Sequence, residues 1–80
     1  MKTPRDVSGG DLAKALRALG YEKVRQDGSH IRLTTNVDGQ FHITVPNHDT
    51  IKVGTLRSII KLVAEHHNST PDELLDQLEL

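Results

Sequence analysis

Eighty residues, 35% of them hydrophobic, with no cysteine and a net charge of −1, describe one small domain, because a chain this short buries only about 60% of its unfolded surface and cannot support two cores. Without cysteine there is no disulfide scaffold and no thiolate zinc site, and apolar runs of only a few residues offer neither a signal peptide nor a membrane helix, so a soluble cytoplasmic protein is expected. The charge is lopsided: residues 1–64 hold all ten Lys and Arg against six acids, a net of +4, whereas residues 65–80 hold five acids and no base, a basic body compatible with a polyanionic partner followed by an acidic tail.

In chain order, Ser8-Gly9-Gly10-Asp11 has the spacing of a helix N-cap with an acid three residues on, and Leu12, Leu16 and Leu19 then mark one helical face until Gly20 ends it. Tyr21 to Arg25 reads as a short strand and Asp27-Gly28 as a turn. Ser29 to Thr35 follows as a second strand, Asn36-Val37-Asp38-Gly39 as a second turn, and Gln40 to Val45 as a third strand stopped by Pro46. Such short connections make an antiparallel meander. Gly54-Thr55 opens a second helix with Leu56, Ile59, Ile60 and Val63 on its buried side. Thr70-Pro71-Asp72-Glu73 supplies an N-cap, a proline at the first helical position and a glutamate at the third, and Leu74, Leu75 and Leu78 form the stripe of a last helix. The expected fold is α+β, in the order α-β-β-β-α with an extra C-terminal helix, its helices packed on one face of a three-stranded antiparallel sheet. It is a single domain over residues 1–80, with its core in 8–66 and the last helix in 70–80.

Strand alternation separates two sets of residues. Ile31 and Leu33, with Phe41, Ile43 and Val45, must face the helices, so His30, Arg32 and Thr34, with His42 and Thr44, face the other way. A one-residue slip would expose five apolar side chains. Imidazole and guanidinium on one surface suit phosphodiester cleavage: a neutral imidazole takes the proton of an RNA 2′-hydroxyl while Arg holds a phosphate oxygen. Ser29 lies on the opposite face of its strand from His30, which disfavours a Ser-His pair. His48, His66, His67 and Asp49 have no spacing that anchors a metal, so no metal and no cofactor is expected. One Phe and one Tyr give no base-stacking platform. These residues leave three readings open: a ribonuclease, a non-catalytic RNA-binding module of the same fold, and a protein-interaction adaptor with incidental histidines.

The runs "LAKALRALGYEKVRQDGSHIRL" and "FHITVPNHDTIKVGTLRSIIK" resemble the HicA family of toxin ribonucleases from bacterial and archaeal toxin–antitoxin pairs. Three pieces carry the resemblance jointly: R-Q-x-G-S-H entering the second strand, V-P-x-H after the third, and G-T-L-R-S-I opening the second helix. The resemblance implies a fold like a double-stranded-RNA-binding domain and metal-independent cleavage of mRNA. It places the catalytic histidine of the G-S-H turn on His30, and it implies a HicB-type antitoxin that covers the active face. On that basis Arg32, His42, Lys52 and Arg57 are expected to bind RNA, with Gly28 and Ser29 shaping the turn ahead of His30. A monomer when free, hetero-oligomeric with its antitoxin, is expected. The chain departs from the family at Asn47-His48-Asp49, where consecutive histidines are common, and in its acidic C-terminal helix.

Overall fold

The computed structural model describes all 80 residues. The first helix, α1 (Gly9–Ala15), starts where the Ser8 side chain accepts the Asp11 amide at 3.0 Å, as the capping pattern predicts. The leucine run does not continue as one helix: Leu16–Leu19 tighten into a 3₁₀ turn, which Gly20 closes in the left-handed conformation at φ 80°. The next elements are β1 (Glu22–Asp27), β2 (His30–Thr35), β3 (Phe41–Pro46), α2 (Val53–His66) and α3 (Pro71–Leu78). The strands pair antiparallel in the order β1-β2-β3.

Several boundaries differ from the sequence reading. β1 runs on to Asp27, so the hairpin loop is the pair Gly28-Ser29 rather than Asp27-Gly28. Gly28 sits at φ 53°, the backbone conformation that glycine supplies at the first position of a two-residue hairpin loop. Pro46 is the last residue of β3, opposite His30, and does not stop the strand short; a proline is admitted at the end of an edge strand because only one side of the strand needs ladder donors. α2 begins at Val53, one residue before the expected Gly54-Thr55.

Eighteen buried apolar residues form one core, between the helices and the inward face of β2 and β3. Ile31 and Leu33 of β2 and Ile43 and Val45 of β3 meet Leu12, Leu16, Leu56, Ile60 and Val63 there. Val7 and Ile51 join them, because the Ile51 amide donates to the Val7 carbonyl at 2.8 Å and ties the first segment to the loop after β3. Thr35 is the single buried polar residue; its hydroxyl donates to the Leu19 carbonyl at 2.8 Å and accepts the Val37 amide at 3.1 Å. α3 is capped by a full Thr70–Glu73 capping box and packs against α2 and the 3₁₀ turn, with Leu74 at 0% exposure. No helix is long and apolar enough to cross a membrane.

Candidate active site

All helices cover one face of the sheet, which leaves the other open to solvent. On β2, exposure alternates as expected: His30 and Arg32 are exposed and Thr34 half-exposed, while Ile31, Leu33 and Thr35 are buried. On β3, His42 and Thr44 are exposed, while Ile43 and Val45 are buried and Phe41 is half-buried. The pairing Arg32↔Thr44 and Thr34↔His42 sets the two strands in register, so His30, Arg32 and His42 share the open face as the sequence reading places them.

His30 is the first residue of β2, directly after the Gly28-Ser29 loop, with Asp27 opposite on β1 and Pro46 opposite on β3. Residues directly opposite on one face stand about 5 Å apart at Cβ, so the exposed imidazole has a carboxylate neighbour on one side and the Pro46 ring on the other. The Ser29 carbonyl accepts the Asn47 amide at 2.7 Å, which anchors the loop after β3 beside this corner. Ser29 itself lies in the hairpin loop. The His42 ring is fixed differently: its Nδ1 is 2.6 Å from the Thr34 hydroxyl. With Thr34 donating, the ring carries its proton on Nε2.

Lys52 and Arg57 lie elsewhere. Lys52 precedes α2 as its N-cap residue without a side-chain cap bond, and Arg57 is on α2 within the helical layer. The Arg57 guanidinium donates to the Thr3 hydroxyl and the Met1 carbonyl, both at 3.3 Å. His48 is exposed in the loop after β3, where its carbonyl accepts the Gly9 amide at 2.9 Å.

His66 and His67 have a structural task. The His67 ring stands 3.0 Å from Asp38 Oδ2 through Nδ1 and 3.1 Å from the Tyr21 hydroxyl through Nε2. His66 Nε2 faces the Val37 and Gly39 carbonyls at 3.1 and 3.0 Å, so this nitrogen donates, and its ring stacks on Phe41 at 4.4 Å. Together they clasp the β2–β3 turn to the end of α2. No group of three His, Cys, Asp or Glu side chains is gathered closely enough to hold a metal ion.

Two residues on the open face escape a reading by alternation. Counting outward from buried Tyr21 puts Arg25 and Asp27 on the helix side, yet the ladder pairs Arg25 with Arg32 and Asp27 with His30. A β-bulge between Lys23 and Arg25, with Val24 as the extra residue, resets the alternation. Both faces report it: Arg25 Nε meets Asp27 Oδ2 at 2.8 Å on the open side, and Lys23 Nζ donates to Gln26 Oε1 at 3.3 Å on the other. The only advance signal is the two-residue loop, which makes residues 27 and 30 a facing pair.

Residues 9–63 match a family described as the HicA toxin of bacterial toxin-antitoxin. No curated protein and no solved structure matches the chain. The matched span takes in α1, the whole sheet with its His30 corner, and most of α2, leaving out α3. Covering more than half of the chain, that match makes this protein a member of the HicA toxin family, the toxin side of a toxin–antitoxin system.

Proposed function

We propose that the protein is a metal-independent endoribonuclease that cleaves mRNA at the open face of the sheet, with His30 as its catalytic residue. The observation that carries this reading is the exposed imidazole of His30 at a glycine-hinged strand start, one alternation away from the exposed Arg32. Neutral His30 takes the proton from an RNA 2′-hydroxyl. The 2′-oxygen then attacks the adjacent phosphorus, the bond to the 5′-oxygen breaks, and that oxygen leaves with a proton from the solvent or from a protonated imidazole. Arg32 holds a non-bridging oxygen and offsets the charge that develops there. His42, oriented by Thr34, contacts the RNA from the neighbouring strand. Lys52, exposed ahead of α2, extends the basic surface for a flanking phosphate, whereas the Arg57 guanidinium is already held by Thr3 and Met1 and takes no phosphate.

A HicB-type antitoxin neutralises the activity by covering this face, so the free monomer passes into a hetero-oligomer, and both act in the cytoplasm. Cleavage of a long unstructured RNA by purified protein tests the reading. His30→Ala removes no core contact, so its stability should move by no more than about 0.5 kcal/mol, while cleavage falls roughly 100-fold or more. A folded His30→Ala protein cutting at the wild-type rate rejects the assignment. RNA bound but never cut by the wild type points instead to a binding module.

A further inference from the structure

The bulge at Val24 brings two guanidiniums to face one another, Arg25 on β1 and Arg32 on β2. Like charges directly opposite in a sheet destabilise it, and a single ion pair relieves them: Arg25 Nε to Asp27 Oδ2 at 2.8 Å, with the side chains 71% and 64% exposed. Arg32 has no carboxylate within ion-pair distance. The other acid on this face, Glu22, stands opposite Thr34 and pairs with neither arginine. A bulge and a cross-strand arginine pair both cost stability locally, and neither serves the core. Val24, the bulged residue, is left 63% exposed.

Building on the ribonuclease reading above, we propose that Arg25 and Arg32 form a two-guanidinium clamp for one phosphate of single-stranded RNA beside His30, and that Asp27 is its built-in competitor. The carboxylate holds Arg25 in the free protein and gives it up when a phosphodiester arrives. Chemistry favours the exchange. A phosphodiester offers two non-bridging oxygens, one for each guanidinium, and a guanidinium fork binds such oxygens in a fixed planar geometry that an ammonium cannot reproduce. Its single negative charge is shared over both oxygens and so reaches both arginines at once, whereas Asp27 reaches only one. The pair that must be broken is exposed and therefore weak. Arg25 is thus a substrate-binding residue of the site, delivered to it by the irregularity in β1.

The test is binding of a short single-stranded oligonucleotide with 2′-O-methyl riboses, which lacks the attacking hydroxyl and reports affinity without cleavage. Arg25→Ala should weaken binding roughly tenfold, the loss of a charge-assisted contact, and should lower the log-log salt slope by about 0.7, one phosphate. Asp27→Asn should tighten binding roughly two- to fivefold, the equivalent of one exposed ion pair released. In the Arg25→Ala background the Asp27→Asn gain should vanish. Arg25→Lys should recover only part of the affinity. All four variants change exposed side chains, and an unaltered circular dichroism spectrum and melting temperature verify the fold. Asp27→Asn that leaves affinity unchanged or lowers it, or a gain that persists without Arg25, overturns the clamp. Failure of the wild type to bind the oligonucleotide or to cleave RNA defeats the ribonuclease reading itself, which separates the two outcomes.

Discussion

Tyr21 is 1% exposed, and burial pushes its hydroxyl from the usual 10 up to about 12. The unfolded chain releases this proton near pH 10 and the folded chain holds it until about 12. Above pH 10 the unfolded state therefore binds fewer protons, and stability falls with rising pH by at most about 1.4 kcal/mol per unit. Below pH 10 the contribution is intact. Tyr21→Phe removes the bond to His67 and should cost about 0.5–1.5 kcal/mol at pH 8, but it also removes this slope. Urea titrations at pH 8 and 11 should show the wild-type advantage shrinking. An advantage that stays constant would mean that Tyr21 ionises alike in both states. Gly9 and Gly10 make a second contrast between neighbouring residues. A Cβ on Gly9 would run into the Pro46 carbonyl oxygen and approach Asn47 Cα to 2.8 Å, whereas on Gly10 it would meet only Ser8 Oγ at 3.9 Å. Gly9→Ala should therefore destabilise by roughly 1–3 kcal/mol, and Gly10→Ala should stabilise by up to about 1 kcal/mol through helix propensity. Equal effects in chemical denaturation would contradict the close approach of α1 to the loop after β3.

Among the elements, α3 illustrates how far a segment outside the family match is bound into the fold. Leu74, Leu75 and Leu78 are 0%, 9% and 6% exposed and belong to the main core. Each contributes roughly 1.5–3 kcal/mol when fully covered, a large share of the stability available to so small a domain. Deleting residues 70–80 should lower the melting temperature by roughly 15 °C or more, since each kcal/mol shifts a domain of this size by about 4–8 °C. Thr70→Ala, which removes the capping box and leaves the leucines, should cost about 0.5–2 kcal/mol. A truncated protein with an unchanged melting curve would make α3 an appendage. The hairpin of β1 and β2 is held to a different standard, because every residue of β1 is exposed. Its value lies in what it presents, the Asp27–His30 corner and the Arg25–Arg32 pair.

Over the whole molecule, the five acids of residues 65–80 fall at the end of α2, on α3 and just after it, in the helical layer, whereas the +4 of residues 1–64 is spread over helices and sheet. α3 carries its acids among the helices, against α2 and the 3₁₀ turn, so the sheet face that bears His30 and Arg32 is not screened by them. RNA affinity should accordingly be modest and fall with salt, by a log-log slope of about −0.7 for each phosphate contacted. A salt-independent affinity would favour the adaptor reading. Cleavage should persist in excess EDTA, because the site offers imidazole and guanidinium rather than a ligand cluster. Loss of activity on chelation with recovery on adding a divalent ion would overturn that mechanism.

Helix and strand order, the His30, Arg32 and His42 face, and the capping of α1 and α3 were all legible in the residues. Apolar spacing, cap residues and the turn at Gly28 act locally, and a single buried face fixes the register of β2 and β3. The placement of Arg25 and Asp27 was decided only by tertiary pairing. A bulge leaves no mark in a strand whose residues are all exposed, and one extra residue inverts every assignment beyond it. Long-range contacts also decided the fate of His66 and His67, which read as loose histidines and hold a turn nearly thirty positions away. They took Arg57 as well, engaging its guanidinium with Thr3 and Met1. Hydrogen bonds between segments so distant in the chain have no period for a sequence to display; they exist only once the core has drawn those segments together.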